Sequence, residues 1–246
     1  MTAAAETLRA RVAAAIARAP DYPADPGDRR TISVVGLELP LRASVALAVV
    51  TLALLFDYSR TFIPDPIQDL GRAAPALRYQ AIERVVLFGL VPLAVLLLVF
   101  RDRPSRYGLT LGEWRLGLGL VTIGCAVMTP LVLALVRIDA FRAYYAISAA
   151  SPVDLVITNV LDLAPTEFMI RGFLMFALVR TIGPVGVLVA ILPFVFSHLG
   201  KPEVELFSTL FGGLVYGWLV WRTGSVAWSA VAHIYIVTLL LIAAAA

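Results

Sequence analysis

Ionisable side chains are scarce in this chain. Its 246 residues include one lysine, Lys201, one cysteine, Cys125, and two histidines, His198 and His233. A single cysteine excludes a disulfide framework and a cysteine-built metal site. Cys125, set in an apolar stretch, reads as a small buried residue. Positive charge is carried almost wholly by arginine with no dense basic run, so nothing points to nucleic acid. Charged residues are 15% of the chain against 60% hydrophobic, which excludes an ordinary soluble domain. The alternating pattern of a membrane β-barrel is missing. Residues 2–19, rich in alanine and arginine, lack the unbroken apolar core of a signal peptide.

What is present is a succession of apolar runs near the ~20-residue length that crosses a bilayer. Lipid obliges each span to satisfy its own backbone hydrogen bonds, so the expected fold is all-α, a polytopic transmembrane helical bundle. About seven spans are expected, near 43–60, 84–100, 115–137, 152–180, 184–199, 204–221 and 226–245. Residues 43–246 then form one membrane domain, in contact with lipid. Residues 1–42 form an N-terminal segment: an interfacial helix over 2–19, with Leu8, Val12 and Ile16 on one face, and a proline-rich linker over 20–30. The stretch 57–83 reads as a loop with a short surface helix. Seven spans put twelve arginines on the side of the N-terminus, against six arginines and Lys201 on the other, which favours a cytoplasmic N-terminus. Arginine-heavy, lysine-poor usage suits a GC-rich bacterium and hence its inner membrane. Gly213 and Gly217, with Gly212, form a small-residue face on the sixth span, read as packing within the monomer.

An ionisable group at membrane depth costs ~2.5–3.5 kcal/mol on insertion scales, so each one present calls for an explanation. Glu167 and Arg171 are i and i+4 in the fourth span and can pair on one helix face. Asn159, Asp162 and Thr166 make a second polar stripe on the same helix, and Pro165 removes one helical hydrogen bond beside it. His198 ends the fifth span and His233 stands inside the seventh. An imidazole there suits proton transfer or metal ligation. A polar site lined by the fourth, fifth and seventh spans is expected.

Three short motifs in order, Thr166-Glu167-x-x-x-Arg171-Gly172, Phe194-x-x-x-His198 and His233-x-x-x-Val237, resemble those of the CAAX prenyl endopeptidase and bacteriocin-processing family, also called the abortive-infection family. Arg106-Tyr107-Gly108-Leu109 and Arg222-Thr-Gly-Ser225 add to the likeness, which covers residues 101–240 or so. The resemblance implies an intramembrane endopeptidase that cuts a membrane-associated or leader-bearing peptide with water activated by glutamate and histidine. It also exposes two departures. The family's first glutamate, its general base, is Thr166 here, and its asparagine or aspartate beside the oxyanion is Val237. An active chain then needs Glu167, with His198 sharing the proton, to supply the missing carboxylate; Asp162 is a second source. His233, helped by Ser229, would meet the oxyanion.

The alternative is a catalytically inactive relative that keeps the bundle as a membrane scaffold, chaperone or subunit of a complex. No cofactor is expected. Zinc or iron held by Glu167, His198 and His233 is a lesser alternative, since the zinc-protease signature is absent, and a bis-histidine haem a further one. A transporter ranks below these because repeated halves are not evident.

Overall fold

The computed structural model describes residues 14, 17–146 and 151–246. The amphipathic face expected over residues 2–19 lies almost wholly outside them. The described chain is helical apart from one hairpin, β1 (Thr31–Val34) and β2 (Leu37–Pro40), paired antiparallel through Val34↔Leu37. Its two-residue turn, Val35-Gly36, holds both φ angles positive (51° and 81°), the geometry that matches strand twist in tight hairpins.

Among the described residues seven longer helical segments follow, with short helices at Asp65–Gln68, Pro104–Tyr107 and Asp139–Tyr145 between them. The seven are α1 (Leu41–Ser59), α2 (Ala74–Phe100), α3 (Trp114–Leu135), α4 (152–182), α5 (Val185–Phe196), α6 (Glu203–Thr223) and α7 (Val226–Ala245). Five of them, α1, α2, α3, α6 and α7, are long and apolar enough to cross a membrane. The other two of the seven expected spans are different in kind. Every 18-residue stretch of α4 contains at least three of Asp154, Asp162, Glu167, Arg171 and Arg180, and α5 is only 12 residues long. The chain is thus an integral membrane protein whose most charged helix is its most buried one: Phe168 to Val179 are buried without a break. Helix α2 begins ten residues before the expected start, because Ala74–Arg84 adds three turns below the apolar run.

One end of the bundle gathers the N-terminal segment with the α2–α3, α4–α5 and α6–α7 connections. Arg42 pairs with Asp28 (2.7 Å) and Asp102 (3.0 Å), and Arg106 with Asp28 (2.7 Å) and Asp25. Tyr22 donates to Trp221 O at 2.6 Å, and Val226 N donates to Gly108 O at 3.0 Å. These bonds fix the linker over 20–30 against the bundle. Burial pushes the carboxyl of Asp25 up, yet the Asp28 backbone N–H and the guanidinium groups of Arg42 and Arg106 outweigh it and hold that carboxyl at about 2.

Gly213 and Gly217 seat α5 against α6 within the monomer. A Cβ on Gly213 would meet Ile191 Cγ2 at 2.9 Å and Phe194 Cδ1 at 3.1 Å, and one on Gly217 would meet Val187 Cγ1 at 3.0 Å. Gly212 faces open space. Gly213→Leu is therefore expected to destabilise the protein by about 1–3 kcal/mol through overpacking, while Gly212→Leu leaves stability unchanged. Thermal unfolding of the two variants in detergent checks the difference.

Candidate functional site

Halfway along α4 the hydrogen-bond ladder changes register. Pro165 has no N–H to give, and the turn after it, Phe168–Leu174, is wound as a π-helix, a deviation that recurs at functional sites. Gly172 lets this turn approach its neighbours: a Cβ there would lie 2.7 Å from Tyr107 O and 3.2 Å from Val226 Cγ1. Glu167 (0% exposed) and Arg171 (2% exposed) bracket the change, and Arg171 Nη1 donates to Glu167 Oε1 at 2.5 Å.

The same oxygen meets His233 Nδ1 at 2.8 Å across the α4–α7 interface. A carboxylate already paired with a guanidinium can only accept, so His233 Nδ1 carries the hydrogen. The guanidinium of Arg171 is itself held between two rings, 4.2 Å from the Phe194 centroid and 5.1 Å from that of Tyr216. Tyr216 also packs against His233, with centroids 5.4 Å apart. Among the described residues Glu167 Oε2 has no hydrogen-bond partner, and the Ser229 hydroxyl donates to Val226 O at 3.1 Å.

His198 sits in the turn just after α5. Its Nδ1 is 2.7 Å from Phe194 O and 3.2 Å from Ser197 Oγ. A carbonyl oxygen only accepts, so here too Nδ1 carries the hydrogen. Phe194 lies between the two imidazoles, 4.5 Å from the His198 ring and 5.8 Å from His233. Both rings are thus tied by Nδ1, and among the described residues no hydrogen bond engages Nε2 of either. In the neutral ring that nitrogen is a bare lone pair.

Both rings line one cavity of about 390 Å³. Thr166, Asp162, Asn159 and Val237 share its wall, whereas Glu167, Arg171 and Ser229 do not. The Thr166 hydroxyl donates to Asp162 O at 2.7 Å, and Asn159 Nδ2 donates to Thr238 Oγ1 at 2.8 Å. Glu167 is off this wall, with its Oε1 bonded to Arg171 and to His233.

Two wall residues lie outside the expected set. Arg84 of α2 takes Asp57 of α1 in a two-pronged pair (Nε to Oδ1 2.7 Å, Nη2 to Oδ2 2.8 Å) and Asp162 of α4 with its third nitrogen at 2.7 Å. Their sequence signal was weak, because charges at the ends of apolar runs are ordinary. As for a metal, His198 and His233 offer two nitrogen donors to the cavity. Glu167, the third group of the weighed set, is spent on Arg171 and His233. Among the described residues no three His, Cys, Asp or Glu side chains form a metal-holding group.

With this geometry in view, comparison with known proteins is informative. Residues 148–239 match the family model described as type II CAAX prenyl endopeptidase Rce1-like. This segment is similar to Rce1-like domains. No curated protein and no solved structure matches the chain. The matched segment contains Glu167, Arg171, His198 and His233, and it leaves out Asp57 and Arg84. The cavity beside its histidines is therefore closed by α1 and α2, which lie outside the matched segment.

Arg84 ties those two helices to the matched segment through a cluster of one cation and two carboxylates. Removing the cation leaves two largely buried carboxylates facing each other. Arg84→Gln is expected to destabilise the protein by about 3 kcal/mol, and Asp57→Asn in the same chain to recover part of the loss. Thermal unfolding of the single and double variants in detergent reads both.

Proposed function

We propose that this chain is a membrane-embedded endopeptidase whose water-activating base is His233, oriented by Glu167. The observation that carries the reading is the pair of imidazoles tied at Nδ1 and lining one cavity. Water in that cavity gives one hydrogen to His233 Nε2 and hydrogen-bonds with the other to His198 Nε2. The hydroxide attacks the peptide carbonyl, and the proton on His233 passes to the leaving nitrogen as the C–N bond breaks. Glu167 stabilises the imidazolium in between, and Arg171 holds Glu167 in place through their ion pair. The Thr166 hydroxyl, which donates to Asp162 O at rest, turns its hydrogen to the oxyanion. The expected roles are thereby redistributed: His233 moves from the oxyanion to the base, and no cofactor enters.

The second reading, a non-catalytic relative acting as scaffold, chaperone or subunit, draws on the wall itself. Thr166 and Val237 stand there where the resemblance expects a carboxylate and a hydrogen-bonding side chain. Each carboxylate on the wall is ion-paired, Asp57 and Asp162 with Arg84 and Asp154 with Arg78. The excess of arginine on the N-terminal face supports a cytoplasmic N-terminus in a bacterial inner membrane. That excess comes entirely from the first 42 residues, since the remaining connections carry six arginines on that face against six arginines and Lys201 on the other.

Tagged wild-type chain, Glu167→Gln and His233→Ala, purified from the native membrane, separate the two readings by mass spectrometry of what accompanies each. Catalysis predicts an uncut peptide or protein retained by both variants and absent from wild type, with cleavage reduced at least ~10²-fold. An intact partner held equally by all three forms contradicts catalysis and supports the scaffold.

A further inference from the structure

The cavity runs from an exposed rim, where Tyr58 and Arg72 stand, to the buried rings of His198 and His233. Its charged lining is unevenly compensated. Asp57, Asp162 and Arg84 satisfy one another, Asp154 pairs with Arg78, and Lys201 pairs with Glu205 at 2.7 Å. Two cations are left over. Among the described residues Arg60, at the end of α1, has no ion pair within 4.0 Å, and its Nε is buried without a hydrogen-bond partner. Among the described residues Arg72 also has no ion pair within that distance; its guanidinium lies over the Tyr144 ring, 3.9 Å from the centroid. Glu83, the nearby buried carboxylate, reaches Arg60 only through charge, and both its oxygens are unpartnered.

We propose that Arg60 and Arg72 form a carboxylate-binding subsite at the rim of the cavity. It receives a free carboxylate of the peptide whose chain extends inward to the histidines, either its C-terminus or an acidic side chain. A buried N–H without an acceptor carries its full desolvation penalty until an acceptor arrives, and a guanidinium matches a carboxylate in shape. The contact with Tyr144 holds the Arg72 guanidinium at the rim, and its several N–H groups exceed what one phenol hydroxyl can take. A singly charged carboxylate suits this rim better than a lipid phosphate, because Asp57, Asp154 and Asp162 line the same wall and penalise extra negative charge. The inference rests on the peptide-binding part of the endopeptidase reading and not on turnover.

The test is binding to the full chain in detergent, read by microscale thermophoresis. The probes are an acetylated apolar tripeptide acid, its C-terminal amide, the amide with one glutamate introduced, and phosphatidylglycerol in mixed micelles. The acid is expected to bind about tenfold more tightly than the amide, and Arg60→Gln or Arg72→Gln to remove that preference. Recovery of affinity in the glutamate amide assigns the subsite to acidic side chains, and its absence assigns it to the C-terminus. Arg72→Lys, which keeps charge but loses the planar guanidinium, is expected to fall between. Equal binding of acid and amide, an acid preference that survives both glutamine variants, or displacement of the acid by phosphatidylglycerol alone overturns the subsite. No binding of any peptide overturns it together with the peptide-binding cavity, whereas binding without cleavage leaves it standing and removes only the hydrolytic step.

Discussion

The arrangement depends on a single oxygen. Glu167 Oε1 holds Arg171 from its own helix and His233 from α7, at a point with no exposure to solvent or lipid. A lone carboxylate there would carry a desolvation penalty of several kcal/mol, and a lone guanidinium no less. Together they are neutral, and the aromatic faces of Phe194 and Tyr216 take up what remains of the arginine's field. The pair is therefore tolerated in the most buried helix of a membrane protein. Its presence also dictates the tautomer of the histidine that leans on it.

The rest of the bundle serves that contact. Pro165 and the π-turn after it set the direction of Glu167 and Arg171, and Gly172 allows close approach to Tyr107 and Val226. Gly213 brings α5 onto α6, so that Phe194 can separate the two imidazoles while its carbonyl ties His198. Helices α1 and α2 belong to no part of the matched domain, yet they close the cavity through Asp57 and Arg84. A polar site in lipid needs walls on every side, and here two of them come from outside the motifs.

Much of this was legible because ionisable residues were so few. Glu167, Arg171, His198 and His233 stood out against apolar sequence, and their helices were assigned from run length and composition. Spacing of i and i+4 put Glu167 and Arg171 on one face, but it could not say whether that face met the cavity or the neighbouring helix. That question was decided by packing, which turned Glu167 behind His233. Asp57 and Arg84 were obscured for the opposite reason, since charges near the ends of spans are commonplace and their partners lay 27 and 78 residues away. The hairpin over 31–40 was missed because its strands are four residues each, too short for alternation to be read. The count of spans blurred at α4 and α5, where burial inside the bundle had relaxed the need for an unbroken apolar length.

The central claim is that Glu167 fixes His233 with its hydrogen on Nδ1 and its lone pair toward the cavity. Because the chain holds only two histidines, solid-state NMR of the protein labelled with ¹⁵N-histidine and carrying a histidine-free tag observes these two rings alone. At about pH 8, above the ordinary imidazole range, both rings should show a protonated Nδ1 and a bare Nε2. Glu167→Gln should then change the signals of His233 and leave those of His198 in place. A His233 protonated on Nε2 in the wild type, or indifferent to Glu167→Gln, would contradict the account.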